Sequence, residues 1–526
     1  MNLCDLVLRN AAFTPDKPAL RFEGRSLDYA ALARRIEAAA RALRAELGVG
    51  PGDRVAVLST NHPDCLVLLY ACARLGAMLV PLNWRLAVPE QLFILADVGA
   101  ALLVVEEAFA AVIEPLSEAC PKTRVVGLDF EPPGGSSFDA LLATGTGESR
   151  TPDADLSSPL LVVYTSGTTG RPKGAVLRQE ALFWNGVMSQ HMHGLTSDDH
   201  VLTVLPLFHV GGLNIQTTPA LHHGATVTLH RRFAPEETLA AIARDRPTLT
   251  VLVPATMQAA IEHRAFAETD LSSLRALTTG STAVPKPLID AFEGRGVPVL
   301  QVYGSTETCP IAIYTRLSGD RFRPGSTGLP GLACEAKVVD VAGAEAPPGV
   351  PGEILVRGPN VFSGYWGDVA ATAESLHDGW FRSGDIGTRD DDGYFTVHDR
   401  KKNLIISGGE NVYPAEIERV LLAHPDVAEA AVVGRPDPKW QEVPVVYVVL
   451  RPGAELDAEA LKAHVARELA RFKVPRAVAF VDSLPRSALG KVQHFRLREG
   501  EAALAHSGQG GCCTATVLNK SEMPQN

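Results

Sequence analysis

Apolar positions along this chain fall into short runs, and the spacing of those runs predicts most of its elements. From 26 to 47 the stretch SLDYAALARRIEAAARALRAEL repeats apolar residues at helical spacing, with Ser26 as a start signal and Gly48 as a stop. A strand over 54–58, a helix over 63–75 and a strand over 77–80 follow, and the alternation continues to Val105. Such a series predicts a parallel sheet covered by helices. Residues 129–156, rich in Gly, Pro, Ser and Asp, read as a surface connection. Beyond a helix from Gln179 to about His191, a second α/β series places strands at 201–205, 226–229, 249–253, 276–278 and 299–302. From Arg323 the texture turns to short β runs between Gly and Pro turns. A charged knot, Asp399-Arg400-Lys401-Lys402-Asn403, closes that region.

Past the knot lies a unit with its own apolar periodicity, with helices near 414–423 and 457–470 and strands near 428–433 and 444–450. The expected organisation is therefore α/β: a large N-terminal domain over 1–399, made of helix-covered sheets and a β-rich subdomain, then a small α+β C-terminal domain over 400–500. Residues 501–526 show little amphipathic pattern and are expected to be a disordered tail.

The stretch that draws the chemistry together is LLVVYTSGTTGRPKGAVL, over 160–177. A buried strand over 160–164 breaks into a loop and a second apolar run, 175–177, follows. Three glycines let the backbone curl so that successive N–H groups converge, four hydroxyls add donors, and Lys173 adds a positive charge. This is chemistry for gripping a polyphosphate. It is not a Walker A loop, because Lys173 is followed by Gly174 and not by Ser or Thr. The strands at 276–278 and 299–302 also end in small polar residues, Thr279-Gly280-Ser281-Thr282 and Tyr303-Gly304-Ser305-Thr306-Glu307, as a ligand crevice at strand C-termini requires. In the second loop an aromatic face can stack on adenine and a carboxylate can ligate Mg²⁺; alone, the same loop reads as a half-buried tyrosine and a solvated glutamate.

Composition narrows the partners. The 526 residues exceed one core and suffice for roughly two or three domains. A net charge of −11 argues against a nucleic-acid partner. The N-terminus has no charged stretch followed by an apolar core, so no secretory signal is expected, and no run approaches the roughly 18 apolar residues of a membrane span. The eight cysteines, scattered apart from Cys512-Cys513, show no disulfide or metal spacing, which fits a reduced cytoplasmic setting. A homodimer is compatible with these features.

YTSGTTGRPKG resembles the signature loop of the adenylate-forming superfamily, which includes acyl- and aryl-CoA ligases, peptide-synthetase adenylation domains and luciferases. Further motifs follow in the family's order to about residue 498, so the resemblance covers nearly the whole chain. It implies that Thr165, Ser166, Gly167, Thr168, Thr169, Gly170 and Lys173 hold the ATP phosphates. It implies that Gly280, Ser281, Thr282 and Gly304 border the nucleotide, that Tyr303 stacks on adenine, that Thr306 contacts the AMP phosphate and that Glu307 binds Mg²⁺. Asp385 would accept the ribose hydroxyls and Arg400 would contact ribose or phosphate. Lys402 matches the hinge of a mobile small domain, while Gly408 and Gly409 match the loop along the CoA pantetheine tunnel. Lys491, in LPRSALGKV, matches the lysine that reaches the carboxylate and α-phosphate during adenylation.

The same resemblance implies a two-step ligase. A carboxylate attacks the α-phosphate of ATP to give acyl-AMP and pyrophosphate; the small domain then swings and the CoA thiol displaces AMP. Where peptide synthetases carry Phe-Asp, this chain carries Phe208-His209, which disfavours an amino acid substrate. His209 resembles a gate residue of the acyl pocket and reads equally as a satisfied histidine at a strand end. The pocket candidates are Val210, Gly211, Asn214, Val302, Cys309 and Ile311, with Val302 where related ligases often have Gly. None is basic, which disfavours a second substrate carboxylate. A fatty acid is the favoured substrate and a hydroxycinnamate the alternative. A non-catalytic nucleotide-binding protein is a third reading, opposed by the presence of Lys173, Glu307 and Lys491.

Overall fold

The computed structural model describes residues 1–165, 172–280, 284–318, 323, 325–407, 410–437, 440–486 and 492–506. The first strand–helix series folds into an eight-stranded sheet. Arg54–Leu58 lies between Met78–Pro81 and Leu102–Val105, all parallel, and Arg124–Gly127 extends one side. Pro159–Thr165 joins Met78–Pro81 on the other side and pairs antiparallel with Lys173–Arg178. The segment 166–171 thus connects two paired strands.

The second series forms a nine-stranded sheet. Its parallel core runs Thr226–Leu229, His200–Thr203, Leu249–Val251, Ala276–Gly280, Val299–Tyr303. These strands are buried on both faces, which is why they read as continuous apolar runs and not as alternations. Helix Pro63–Leu75 is buried all along from Asp64, in a cluster that takes side chains from both sheets. A helix apolar all round suits that position. The start of that helix is set by His62, whose Nδ1 accepts from the Asp64 N–H, and its end by Gly76 at φ +70°.

From residue 335 the chain builds a five-stranded antiparallel sheet containing Glu335–Val339, Gly352–Arg357, Trp380–Arg389 and Phe395–Arg400. The smaller C-terminal α+β domain follows. The paired strands Val427–Asp437 and Gln441–Leu450 form its centre, covered by helices Pro414–Leu422 and Ala458–Glu468. It has its own apolar cluster, including Ile405, Ile417, Leu421, Val432, Val446 and Leu461.

Three expectations are corrected. The helix expected from residue 26 begins at Tyr29, because Arg25–Asp28 pairs antiparallel with Pro18–Phe22, and the Asp28 carboxylate caps the helix by accepting from the Ala31 N–H at 2.6 Å. The connection 129–156 contains helix Phe138–Thr144, anchored by a fully buried Phe138. The expected tail is helical in part. Helix His494–His506 continues past residue 500, and Glu501 is buried, accepting from the Tyr447 hydroxyl at 2.6 Å.

Two buried histidines make stability depend on pH. Burial lowers His193 to about 4, and burial together with the neighbouring His223 lowers His222 to about 3, against an ordinary value of 6.5. The unfolded chain therefore binds protons that the fold excludes once pH drops below about 6.5. Stability is fully present above that pH and falls as pH is lowered towards 4, by up to about 1.4 kcal/mol per unit for each histidine. Urea denaturation at pH 7.0, 6.0 and 5.0 checks this; a midpoint unchanged over that range would contradict it.

Candidate active site

Asp385 draws three parts of the chain to one point. It sits on Trp380–Arg389 and is buried, and the hydroxyl of Tyr303, at the end of Val299–Tyr303, donates to its Oδ2 at 2.8 Å. Arg400, directly across the strand pair, brings Nε to 2.7 Å from Oδ1. Arg400 also donates to the Ser383 carbonyl at 3.0 Å, and the Ser383 hydroxyl accepts from the Asp385 N–H at 3.0 Å. Burial, then the Asp385 charge, pushes the Tyr303 phenol well above its ordinary range, so it stays a hydrogen-bond donor. Lys402 follows in the turn Lys401–Asn403 and is exposed; desolvation first, then the Arg400 and Arg498 charges, lower its ammonium.

The next residues of the same loop form a second cluster. Gly304 runs so close to the chain beyond it that a Cβ there would lie 1.7 Å from the Pro310 carbonyl oxygen. Thr306 and Glu307 are buried in the turn Thr306–Thr308. The Tyr365 hydroxyl donates to Glu307 Oε1 at 2.7 Å, and Lys173 Nζ lies 5.4 Å from the Tyr365 ring centre and 3.8 Å from Asp368. Tyr365 reaches this place because Gly364–Tyr365 adds to the edge of Lys173–Arg178. Thr165 and Lys173 face each other at the base of that hairpin.

The carboxylate of Glu307 fits a hard cation: it is held by one hydroxyl, that of Tyr365, and is acceptor-only when ionised. Among the described residues no group of three or more His, Cys, Asp and Glu could hold a metal by itself. Glu307 therefore suits Mg²⁺ that brings oxygen ligands with it, on the phosphates of ATP.

The acyl-pocket candidates gather along a helical segment that changes pitch: Val210–Gly212, then a π turn Leu213–Thr217, then Thr218–His222. Side chains from helix Gln179–His193 brace the turn, Asn185 donating to the Asn214 carbonyl and Ser189 to the Ile215 carbonyl, both at 2.6 Å. Asn185 also accepts from the Ile311 N–H at 3.1 Å, tying Ile311 to the same helix. Asn214 touches Cys309 Sγ at 3.5 Å. Val210, Asn214, Cys309 and Ile311 are sealed in the core, so they form a packed wall and not an open lining; only Gly211 keeps partial exposure. Val302 pairs with Gly280, where a Cβ would meet the Val302 carbonyl oxygen at 2.2 Å. His209 caps the segment, its Nδ1 accepting from the Gly211 N–H at 3.0 Å, which places the proton of the neutral ring on Nε2.

Ser166, Gly167, Thr168, Thr169, Gly170, Ser281, Thr282, Gly408, Gly409 and Lys491 lie outside the described residues. Two residues that the sequence did not single out belong to the site: Tyr365, whose only signal is an aromatic beside Gly364, and Asn185, an ordinary helix position until its partners are seen.

The family described as AMP-binding enzyme matches residues 7–366, and its AMP-binding enzyme C-terminal domain matches 416–491. The chain belongs to this adenylate-forming family and is an AMP-forming acyl-CoA ligase. It is 50% identical over 500 residues to an indoleacetate–CoA ligase of Aromatoleum aromaticum, covering 95% of this chain and 98% of that one. It is 42% identical over 495 residues to a feruloyl-CoA synthase of an Amycolatopsis species, covering 93% and 97%. Among solved structures, an anthranilate CoA ligase in complex with anthranoyl-AMP superposes with a TM-score of 0.89 at 28% identity, covering 96% of this chain and 98% of that one. No helix among the described residues is long and apolar enough to cross a membrane.

Tyr365→Phe removes the hydroxyl that orients Glu307 and leaves the ring in place. A hydrogen bond to a charged group contributes about 1.5–3 kcal/mol, so acid-dependent pyrophosphate release should slow about tenfold or more, with a modest fall in the unfolding midpoint. A rate equal to that of the parent enzyme would contradict this placement of Tyr365.

Proposed function

We propose that this ligase activates an aromatic carboxylic acid, with the carboxylate on the ring or one short linker away, and passes the aroyl or arylacyl group to CoA. The observation that carries this reading is the 50% identity, over 95% of the chain, to a ligase named for indoleacetate. The feruloyl-CoA and anthranilate relatives point the same way. This sets aside the fatty acid that the sequence favoured and widens the hydroxycinnamate alternative to aromatic acids in general. The candidate residues are compatible with this reading: Val302 pairs with Gly280, and Val210, Cys309 and Ile311 are small or apolar and buried.

In the first half-reaction a carboxylate oxygen attacks the α-phosphate of ATP and pyrophosphate leaves. Asp385 accepts the ribose hydroxyls, Tyr303 lies against the adenine, and Arg400 balances the Asp385 charge while facing the nucleotide. Lys173 and the loop over 165–170 hold the β and γ phosphates, with Thr306 at the α-phosphate. Glu307 would hold the Mg²⁺ that accompanies ATP, which when bound would supply charge neutralisation. Lys491 supplies a flexible ammonium to the carboxylate and α-phosphate oxygens as their charge shifts. In the second half-reaction the C-terminal domain, which we assign to 400–500, turns about Lys402. Lys491 withdraws, the segment with Gly408 and Gly409 borders the pantetheine arm, and the thiol attacks the mixed anhydride as AMP leaves.

Pyrophosphate release over a panel of fatty acids, benzoates, arylacetates and hydroxycinnamates tests the reading. Arylacetates or hydroxycinnamates should give kcat/KM at least tenfold above any fatty acid, and Lys491→Ala should lower release about a hundredfold while ATP binding persists. A fatty acid at the head of the panel would overturn the aromatic reading.

A further inference from the structure

Beneath Gly280 the structure holds a polar network that neither half-reaction uses. His193, Thr278 and Gln216 are all fully buried or nearly so. His193 Nδ1 lies 2.8 Å from the Ser189 carbonyl, which only accepts, so Nδ1 carries the ring proton and Nε2 is an acceptor. Thr278 Oγ1, 2.8 Å from Nε2, must therefore donate its one proton to His193. The Gln216 amide nitrogen donates to that same Thr278 oxygen at 3.1 Å. The Thr278 proton is committed, so Gln216 cannot turn its amide around without losing this bond. Its carbonyl oxygen, Oε1, is held facing the other way, and it is buried with no partner among the described residues.

Gln216 lines a small cavity between the π turn and the parallel sheet, together with Thr203, Thr217, Gly212, Leu205 and Val251. The two hydroxyls there are also committed. Thr217 Oγ1 donates to the Gly212 carbonyl at 2.6 Å, so Thr203, 2.7 Å from Thr217, must donate to it. The two lining hydroxyls offer the cavity no proton, while Gln216 Oε1 is an acceptor without a partner among the described residues. An unpaired buried acceptor is costly, so the fold carries an unmet preference for a donor at this point.

The cavity adjoins the acyl site. Thr278 and Gly280 lie on the same face of strand Ala276–Gly280, roughly 7 Å apart along it. Gly212 is shared with the helical segment that carries Val210, Gly211 and Asn214. A planar ring whose carboxylate sits at the nucleotide and whose body passes Gly280 and Val302 would bring its far edge to this place. The cavity's small size suits one polar edge atom and not a whole ring.

We propose that Gln216 is a specificity-determining residue that accepts a hydrogen bond from a ring N–H or phenolic O–H on the far edge of the acyl group. The inference rests on the aromatic-acid reading above and narrows it to acids that carry a donor.

The test pairs each donor-bearing acid with a near-isostere lacking the donor: indole-3-acetate with 1-benzothiophene-3-acetate, and 4-hydroxyphenylacetate with 4-fluorophenylacetate. Acyl-CoA formation by the wild-type chain should favour the donor-bearing member of at least one pair by about tenfold to a hundredfold in kcat/KM. The pair that responds identifies the donor as ring N–H or phenolic O–H. In Gln216→Met the preference should collapse to within about threefold, because the acceptor is gone while the volume is kept. Equal kcat/KM within both pairs in the wild type, as expected if a water satisfies Gln216, would overturn the inference and leave the aromatic reading standing. A preference that persists in Gln216→Met would also overturn it. Silence with all four acids, while fatty acids react, would instead sink the aromatic reading itself. Should Gln216→Met fail to fold, Gln216→Asn, which withdraws the amide by one methylene, carries the same comparison.

Discussion

A carboxylate taken out of water must be matched by donors and an opposite charge, or burial costs several kcal/mol. Asp385 is matched by two side chains from distant parts of the chain, the Tyr303 hydroxyl and the Arg400 guanidinium. Tyr303 ends a strand of the nine-stranded sheet, Asp385 lies in the antiparallel sheet, and Arg400 is the last residue before the turn into the C-terminal domain. One buried charge thus ties the nine-stranded sheet to the antiparallel sheet, and the turn Lys401–Asn403 follows directly after Arg400. Loss of either partner would leave the buried charge short of one compensating group, so the join between the two sheets depends on both contacts.

A second constraint is the closeness of backbones. Gly280 and Gly304 stand where a Cβ would collide with a carbonyl oxygen, at 2.2 and 1.7 Å. The strand ends are therefore pressed together, and the floor of the site is backbone. The helical segment over 210–222 approaches that floor with a π turn, which needs Asn185 and Ser189 to meet its carbonyls. Specificity then falls to the few side chains that face inward between helix and sheet.

Much of this was legible in the chain. The helix Pro63–Leu75 and the strands Arg54–Leu58 and Thr226–Leu229 fall where their apolar runs end, because Pro, Gly and buried packing mark those ends sharply. The Tyr303 and Asp385 motifs could be singled out because the residues within each are neighbours in sequence, and the structure brings Tyr303, Asp385 and Arg400 together. What could not be read were partnerships across long separations. Tyr365 meets Glu307 over 58 residues, and Gln216 meets Thr278 over 62. Nor does periodicity reveal that Arg25–Asp28 would rather pair with a strand than start the helix, or that Glu501 finds a buried tyrosine and carries the last helix past residue 500. Pairing and burial decided these, and both are properties of the folded chain.

The most direct measurement is to trap the intermediate. The protein is mixed with ATP, Mg²⁺ and indole-3-acetate in the absence of CoA, the complex is quenched, and the bound species is weighed by mass spectrometry before and after a CoA chase. The account predicts arylacyl-AMP bound at near one equivalent, converted on the chase to the CoA thioester and free AMP. Thioester formation with no adenylate ever bound, or ADP and phosphate in place of AMP and pyrophosphate, would contradict it.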